Sequence, residues 1–221
     1  MAPATIASSS VAVDGVVVLP QVSWETYERL LADDTGRRAP RLTYDRGELA
    51  IVSPSPMHER DGFALAQVVG IVAEALGLDY LPMGATTFRS EPARQGFEAD
   101  SSFYIQHERA MRDRAVVDLR VDPPPDLAIE IDVSHPSLDK LPIYAGVGVP
   151  EVWRGVGDQV RILVLAEGNY RESAASLALP PLTGDILTRF LVESRGQGRL
   201  SWVRMVRDWI NGQLSGNRPT G

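Results

Sequence analysis

The sequence predicts an α/β protein in which helices alternate with strands. Apolar residues recur at helical spacing across 57–76, mostly on one face, and Gly77 follows as a helix terminator. Apolar and polar residues alternate with a period of two across 96–105 and again across 126–133, as they do in strands. A second helix is predicted from Lys140, so the order from residue 57 is helix, strands, helix, strand, which is typical of α/β domains.

Three elements are predicted before the long helix. Ser23 is a typical N-cap, and the apolar residues after it have the spacing of a short helix. These apolar residues are Trp24, Tyr27, Leu30 and Leu31. The segment 35–40 is predicted to be a loop. Strands at 41–44 and 48–52 flank the turn 45–47, which ends in glycine, so a β-hairpin is expected.

Short strands and a charged connection are predicted after the long helix. Strand-like stretches cover 79–83 and 86–89, before the alternating strand at 96–105. The stretch 106–120 balances acidic residues against arginines and is expected to be a surface connection. The strand at 126–133 carries an acidic row on one face, formed by Asp126, Glu130 and Asp132. Such a row is unfavourable on a core strand unless cationic groups face it.

Alternation continues in the C-terminal half. Asp139 is expected to cap the helix that begins at Lys140. Strands at 152–154 and 160–165 follow, joined by a turn, and Tyr170 begins a further short edge strand. Together with the preceding elements, these strands complete the predicted sheet.

The chain length of 221 residues suits one domain with appendages. Residues 1–20 are expected to form a loose leader, 21–192 the main domain, and 193–221 an arginine-rich helical tail. From residue 195 onward the tail contains five arginines and one acidic residue, and a helix is predicted at 200–210. Two interpretations of the tail are a partly disordered, solvated segment and a phosphate-contacting one.

The composition restricts the kinds of site that the chain can form. An apolar fraction of 44% and a charged fraction of 23% are ordinary for a globular protein with a sizeable core. There is no cysteine, which excludes disulfides, thiolate zinc sites and cysteine nucleophiles. Because there are only three histidines, His58, His107 and His135, a multi-histidine metal site is not expected. A metal would have oxygen ligands, which favours Mg²⁺, Mn²⁺ or Ca²⁺.

Charge and hydropathy indicate where the protein acts. The net charge of −7 gives no general attraction to nucleic acid, but it is compatible with an enzyme whose acidic site is neutralised by metal. The first twenty residues lack the basic region of a signal peptide, and no stretch has the length of a membrane span. A cytoplasmic protein with no membrane partner is expected.

Lys140 is the only lysine of the chain, and the other 21 of the 22 lysine and arginine residues are arginine. Arginine is planar and always charged, whereas lysine is a compact charge whose pKa can fall on burial. A site that needs one ammonium beside a metal or a water is a place where arginine cannot replace lysine. The alternative is that Lys140 lies on a solvated helix end.

Two acidic residues and this lysine form a candidate catalytic set. Asp100 lies within one predicted strand, Glu130 lies within another thirty residues later, and Lys140 begins the next helix. Carboxylates on adjacent strands can hold one or two divalent cations while phosphate oxygens complete the coordination. A nearby ammonium can stabilise charge on a transferring phosphoryl group or position the attacking water.

Five segments of the sequence form a recognisable series of motifs: SPSPMHE at 53–59, FEADSSFYI at 97–105, PPDLAIE at 124–130, DKLPIY at 139–144 and GVPEVWR at 148–154. Together they resemble the Uma-two family of restriction-endonuclease-like proteins in the PD-(D/E)XK superfamily. The resemblance covers about residues 20–190, with the motifs in the order that the family has. It implies a restriction-endonuclease-like fold, with a central mixed sheet flanked by helices, an N-terminal helix and hairpin, and a C-terminal helical tail.

The same resemblance implies a function and a set of site residues. The function is hydrolysis of phosphodiester bonds in nucleic acid, most typically DNA, with Mg²⁺ or Mn²⁺ as cofactor and a homodimer as the analogous assembly. Asp100 and Glu130 match the metal-binding acids, and Lys140 matches a lysine displaced from the strand to the next helix. The chain departs from the pattern at Ala99, where a proline is usual, and at Asp132, where the superfamily's lysine normally lies.

Other interpretations of these residues remain open. Asp100 and Glu130 could be structural acids that pair with buried arginines. Asp132 is either a third metal ligand or a cap for the turn that follows it. His58 and Glu59 lie at a helix start, where a glutamate complements the helix dipole, while the resemblance suggests that Glu59 is near the site.

Two other functions are compatible with the same pattern. The first is a binding or oligomeric module that has the nuclease fold and a weakened site. The second is a metal-dependent phosphohydrolase of a small substrate. Tyr144 and Trp153 are expected to belong to the core rather than to stack on bases, and His135 is expected in a loop.

Overall fold

The structure is a computed structural model that describes residues 15–33, 40–132 and 138–216. These residues form eleven strands and six helices. The strands are β1 (Gly15–Leu19), β2 (Arg41–Asp45), β3 (Glu48–Ser53), β4 (Leu81–Pro82), β5 (Thr87–Ser90), β6 (Gln95–Glu98), β7 (Ser101–Tyr104), β8 (Leu127–Asp132), β9 (Glu151–Val156), β10 (Gln159–Ala166) and β11 (Asn169–Glu172). The helices are α1 (Trp24–Asp33), α2 (Pro56–Leu76), α3 (Glu108–Met111), α4 (Leu141–Val147), α5 (Gly184–Gly196) and α6 (Arg199–Gly216).

A six-stranded mixed sheet lies at the centre, in the order β11-β10-β9-β8-β7-β4. Strands β8 and β9 run parallel, and the other neighbouring pairs of this sheet are antiparallel. Because side chains alternate along a strand, the two faces of β8 pack into two different hydrophobic cores. Leu127, Ile129 and Ile131 pack with α2, α5 and α6, whereas Ala128 packs with α4. The predicted α/β fold with a mixed central sheet between helices is confirmed.

A second sheet has five antiparallel strands in the order β1-β3-β2-β6-β5. Helix α1 packs on it through Trp24 and Tyr27, and the Tyr27 ring stacks on Tyr44 with centroids 4.9 Å apart. The predicted short helix and the β2–β3 hairpin are both confirmed.

The stretch predicted as one strand at 96–105 is instead two strands in different sheets. Strand β6 pairs with β2 and β5, while β7 pairs with β4 and β8. Phe97 and Phe103, which strict alternation would place on one face, lie in different cores. The prediction was wrong because period-two alternation is the same for one strand and for two successive strands that change sheets.

The long helix α2 connects the two sheets and is close to its predicted extent. The hydroxyl of Ser55 accepts a hydrogen bond from the His58 amide at 3.3 Å, which satisfies one free amide at the helix start. Gly77 ends the helix with φ of 68°, a left-handed conformation that favours glycine. The stretch 79–83 contains only the two-residue strand β4 within the described residues, and the expected surface connection 106–120 contains α3, whose Met111 is buried.

The N-terminal end differs from expectation, and the C-terminal end agrees with it. Gly15–Leu19 of the expected loose leader form β1, which pairs with β3, while residues 1–14 lie outside the described residues. The helix predicted at 200–210 in the arginine-rich tail is confirmed as α6, which continues to Gly216, and residues 217–221 lie outside the described residues. Trp202, Val206 and Ile210 of α6 are buried, because their i, i+4 spacing forms an apolar stripe that packs against α2.

Helix α5 was not predicted. Thr183 caps it by accepting a hydrogen bond from the amide of Ile186 at 3.3 Å, and Leu187, Phe190 and Leu191 bury its inner face. The boundary expected between residues 192 and 193 falls inside this helix. Among the helices that the structure describes, none is both long and apolar enough to cross a membrane.

Candidate active site

Asp100 lies where β6 gives way to β7. Its amide donates to the carbonyl oxygen of Ile129 at 3.1 Å, and its Oδ2 accepts from the amide of Ile131 at 2.6 Å. Both contacts are with the backbone of β8, so they hold the carboxylate next to the residue between them, Glu130. The Asp100 side chain is only 2% exposed.

Glu130 projects from β8 toward α4. Its Oε2 accepts a hydrogen bond from Nζ of Lys140 at 2.8 Å, and its Oε1 accepts one from the hydroxyl of Tyr144. The lysine immediately precedes α4, and the tyrosine is one turn further along that helix. Lys140 Nζ also donates to the carbonyl oxygen of Glu98 at 3.3 Å, at the end of β6. The side chain of Lys140 therefore extends from the start of α4 to the acidic face of β8.

Arg41 and His58 contact Asp100 on the side of α2, and Glu59 is linked to it through Arg41. Arg41, the first residue of β2, donates from Nη1 to Oδ1 of Asp100 and from Nη2 to Oε1 of Glu59 at 2.7 Å. Nε2 of His58 lies 2.8 Å from the same Oδ1. His58 is buried and Glu59 is exposed, so the network extends from the core to the surface. The expectation that Glu59 is near the site agrees with this geometry.

Each carboxylate of the acidic row formed by Asp126, Glu130 and Asp132 accepts a hydrogen bond. Besides Glu130, Asp132 accepts from Nε of Arg154 at 2.5 Å, and Oδ2 of Asp126, just before the strand, accepts from the amide of Ile105 at 2.7 Å. The side chain of Asp132 is 39% exposed and pairs toward β9. The turn that it was expected to cap, and His135, lie outside the described residues.

Burial and charge act in opposite directions on the pKa of Asp100. Burial raises this pKa, but the hydrogen bond from His58 and the charges of Lys140 and Arg41 outweigh it, so the pKa lies below its ordinary value. The result is a carboxylate that stays ionised inside the protein.

The pKa of Glu130 is raised, in contrast to that of Asp100. Its burial is the largest effect and, with the nearby charge of Asp100, raises the pKa to about 7 in spite of the opposing charge of Lys140. For Lys140, burial lowers the pKa, but the charges of Glu130 and Asp100 outweigh burial and raise it. Burial and the charge of Glu130 raise the pKa of Tyr144 well above its ordinary value, so its hydroxyl is a donor at neutral pH. The lysine and the tyrosine are thus fixed donors, and Glu130 is the group whose charge changes near neutral pH.

The donor set at Asp100 and Glu130 fits a Mg²⁺ or Mn²⁺ ion. Both side chains supply hard oxygen ligands, and Mg²⁺ usually binds one or two carboxylates while keeping several waters. Among the described residues, no group of three or more histidine, aspartate or glutamate side chains is arranged to hold a metal, so waters and phosphate oxygens would complete the coordination. Each oxygen of both carboxylates already accepts a hydrogen bond, so a metal would share these oxygens with protein donors or displace them.

The sequence did not reveal Arg41 or Tyr144 as site residues. Arg41 is one of many arginines, and its position is decided by the pairing of β2 with β6, which the sequence pattern does not contain. The interpretation of Asp100 as an acid paired with an arginine agrees with the structure, although Arg41 is only part-buried, with 12% of its side chain exposed. Tyr144 belongs to the core, as expected, and its hydroxyl also contacts the site.

Comparisons with known proteins agree with this description. A solved structure with a similar fold is described as a putative nuclease belonging to DUF820 from Anabaena variabilis ATCC 29413. The TM-score is 0.54 at 14% sequence identity, over 77% of this chain and 99% of that chain, so the likeness is one of fold. No curated protein matches the chain.

The family comparison covers most of the chain. The model of the Uma2 (Uma-two) family, described as "Putative restriction endonuclease", matches residues 24–190. This range begins with α1 and ends within α5, and it contains Asp100, Glu130 and Lys140. The chain therefore belongs to the Uma2 family.

Proposed function

We propose that this protein is a metal-dependent endonuclease that hydrolyses phosphodiester bonds, with DNA as its substrate. The observation that carries the proposal is the convergence of Asp100, Glu130 and Lys140, which come from a strand junction, a central strand and a helix start. The family's description as restriction endonucleases supports nucleic acid as the substrate.

The residues have distinct roles in this proposal. Asp100 and Glu130 would hold the metal, and the metal would supply charge neutralisation and an activated water. The amide of Ile131 and the hydroxyl of Tyr144 keep the two carboxylates in place. Lys140 holds a positive charge beside Glu130, where it can stabilise the negative charge that grows on the phosphoryl oxygens.

Plasmid nicking tests the proposal. The wild-type protein is expected to nick supercoiled DNA with Mg²⁺ or Mn²⁺ but not with EDTA. Asp100→Ala should abolish nicking, and Lys140→Arg should reduce it about a hundredfold, because a planar guanidinium cannot reproduce a compact ammonium. Asp79→Ala, at a side chain that is 84% exposed, is the matched control for contaminating nucleases and should leave the rate unchanged. Full activity in both site variants would refute the proposal.

A binding module is the second candidate, and one observation favours it. The carboxylates of Asp100 and Glu130 are already balanced by Arg41 and Lys140, so the site is stable as an ion-pair network without metal. This candidate predicts association with DNA that persists in EDTA and no nicking with any divalent cation. Fluorescence anisotropy with labelled DNA distinguishes it from the enzyme. Release of phosphate from nucleotides, with plasmid left intact, would instead indicate a small-substrate phosphohydrolase.

The proposal includes a homodimer, because enzymes that cut two strands commonly use one subunit for each strand. Light scattering during size-exclusion chromatography tests this part separately. A monomeric mass at the concentration of the nicking assay would remove the dimer from the proposal without affecting the site.

A further inference from the structure

We propose that Arg41 is the internal counter-ion of the metal-free site, that a divalent cation displaces it from Asp100, and that the displaced guanidinium then binds a phosphate of the substrate. This inference rests on the proposed nuclease function. It assigns a phosphate-binding and positioning role to a residue outside the acidic and lysine set.

The two oxygens of Asp100 differ in what holds them. Oδ2 accepts the amide of Ile131, which belongs to the backbone of β8 and cannot move without disturbing the sheet. Oδ1 is contacted by the side chains of Arg41 and His58, which can change conformation. Oδ1, held only by side chains, is therefore the oxygen that a metal can take over without disturbing the sheet, and it is the oxygen to which Arg41 donates.

A guanidinium and a divalent cation cannot both remain on this oxygen. The side chains of Arg41 and Asp100 are 12% and 2% exposed, so little water screens the repulsion between two cations there. In the metal-free protein Arg41 and Lys140 balance the charges of Asp100 and Glu130. Adding two positive charges removes the electrostatic reason for Arg41 to stay.

The position of Glu59 determines where Arg41 can go. Nη2 of Arg41 donates to Oε1 of Glu59 at 2.7 Å, and the Glu59 side chain is 56% exposed at the start of α2. After displacement the ion pair with Glu59 keeps the guanidinium at the surface edge of the site. Nη1 is then released from Oδ1 of Asp100. An arginine with released N–H donors beside a metal site is suited to bind phosphate oxygens, for which its planar fork is complementary.

The experiment measures metal and substrate binding in the same variants. Mn²⁺ affinity is measured by electron paramagnetic resonance of free Mn²⁺, without nucleic acid. Arg41→Gln should bind Mn²⁺ about tenfold more tightly than wild type, a typical size for coupling between competing ligands. The same variant should raise KM for DNA in the nicking assay, because the phosphate contact is lost. Tighter binding of Mn²⁺ together with a higher KM for DNA is the combined result that displacement predicts.

Two further variants keep the test interpretable. Arg46→Gln is the matched control, since Arg46 lies in the same hairpin, is 66% exposed and pairs with Asp45 away from the site. It should change neither measurement. Arg41→Lys keeps a charge with a single ammonium that cannot bridge Asp100 and Glu59 together, so its Mn²⁺ affinity should lie between wild type and Arg41→Gln. It also serves if Arg41→Gln does not fold, which circular dichroism would reveal.

The outcomes separate this inference from the proposed function. Unchanged or weaker Mn²⁺ binding in Arg41→Gln and Arg41→Lys, with a wild type that binds Mn²⁺ and nicks DNA, overturns the displacement and leaves the nuclease function intact. If neither wild type nor the Arg41 variants bind Mn²⁺, both the metal-dependent function and the role of Arg41 are refuted.

Discussion

Lys140 and Glu130 form a part-buried ion pair between the start of α4 and the middle of β8, with Nζ 2.8 Å from Oε2. The pair joins the only lysine of the chain to an acidic residue ten positions before it. Nζ also reaches the carbonyl oxygen of Glu98, so the ammonium bridges β8 and β6, which belong to different sheets. The lysine is therefore part of the junction that also holds Asp100.

The pH dependence of stability is expected to reflect Glu130. Burial raises the pKa of Glu130 from 4.5 to about 7, so between these values the folded state binds more protons than the unfolded state. The free energy of unfolding in EDTA should therefore fall as pH rises from about 5 to 8, by up to about 3 kcal/mol from this group. Urea titrations at several pH values measure this decrease.

Glu130→Gln isolates the contribution of Glu130 to the pH dependence of the unfolding free energy, because glutamine has nearly the same shape and cannot ionise. Its unfolding free energy should lack most of this decrease between pH 5 and 7.5, whatever its absolute stability. Glu48→Gln is the matched control, since Glu48 is an exposed glutamate on β3, and it should keep the wild-type slope. Equal slopes for wild type and Glu130→Gln would contradict the assignment.

Tyr144→Phe tests the orientation of Glu130. The phenyl ring can keep the edge-to-face packing on Phe97, where the centroids are 4.4 Å apart, while the hydroxyl that donates to Oε1 of Glu130 is lost. We expect a loss of about 1–2 kcal/mol in unfolding free energy and a reduced kcat for nicking. Tyr170→Phe removes a hydroxyl that donates to the carbonyl oxygen of Val149, and its kcat should be unchanged. Similar kcat values for the two variants would show that Tyr144 has no orienting role.

The ion pair between Arg195 and Asp61 is expected to stabilise the fold without affecting catalysis. Arg195 of α5 donates from Nε and Nη2 to the two carboxylate oxygens of Asp61 on α2, at 3.0 and 2.7 Å. Because the Asp61 side chain is 5% exposed, Arg195→Ala would leave a buried charge unpaired, at a cost of about 3 kcal/mol. Chemical denaturation measures this change.

A surface pair supplies the comparison for Arg195. Arg171 and Glu167 pair at 2.7 Å with side chains that are 68% and 81% exposed. Arg171→Ala should therefore lower the unfolding free energy by less than about 1 kcal/mol. A similar loss in both arginine variants would mean that the bidentate geometry at Asp61 has no special effect on stability.

The local elements of this protein were predictable where periodicity and capping residues agree. The α2 helix combines an apolar face, Ser55 at its start and Gly77 at its end, and its observed limits differ little from the prediction. Helix α5 was missed although Thr183 caps it. Its apolar residues are interspersed with charged ones, and its burial depends on contact with α2 and β10, which lie far away in the sequence.

The sequence by itself determined the chemical identity of the candidate site. The alternation of 126–133, the lone lysine and the family motifs identified Asp100, Glu130 and Lys140, because side-chain chemistry and local spacing are properties of the sequence. Only the tertiary structure decided which groups meet them. Arg41 reaches Asp100 because β6 and β7 belong to different sheets, and Tyr144 reaches Glu130 because α4 packs on one face of β8. Such contacts join residues that are distant in the chain, and they are set by strand pairing and core packing rather than by local periodicity.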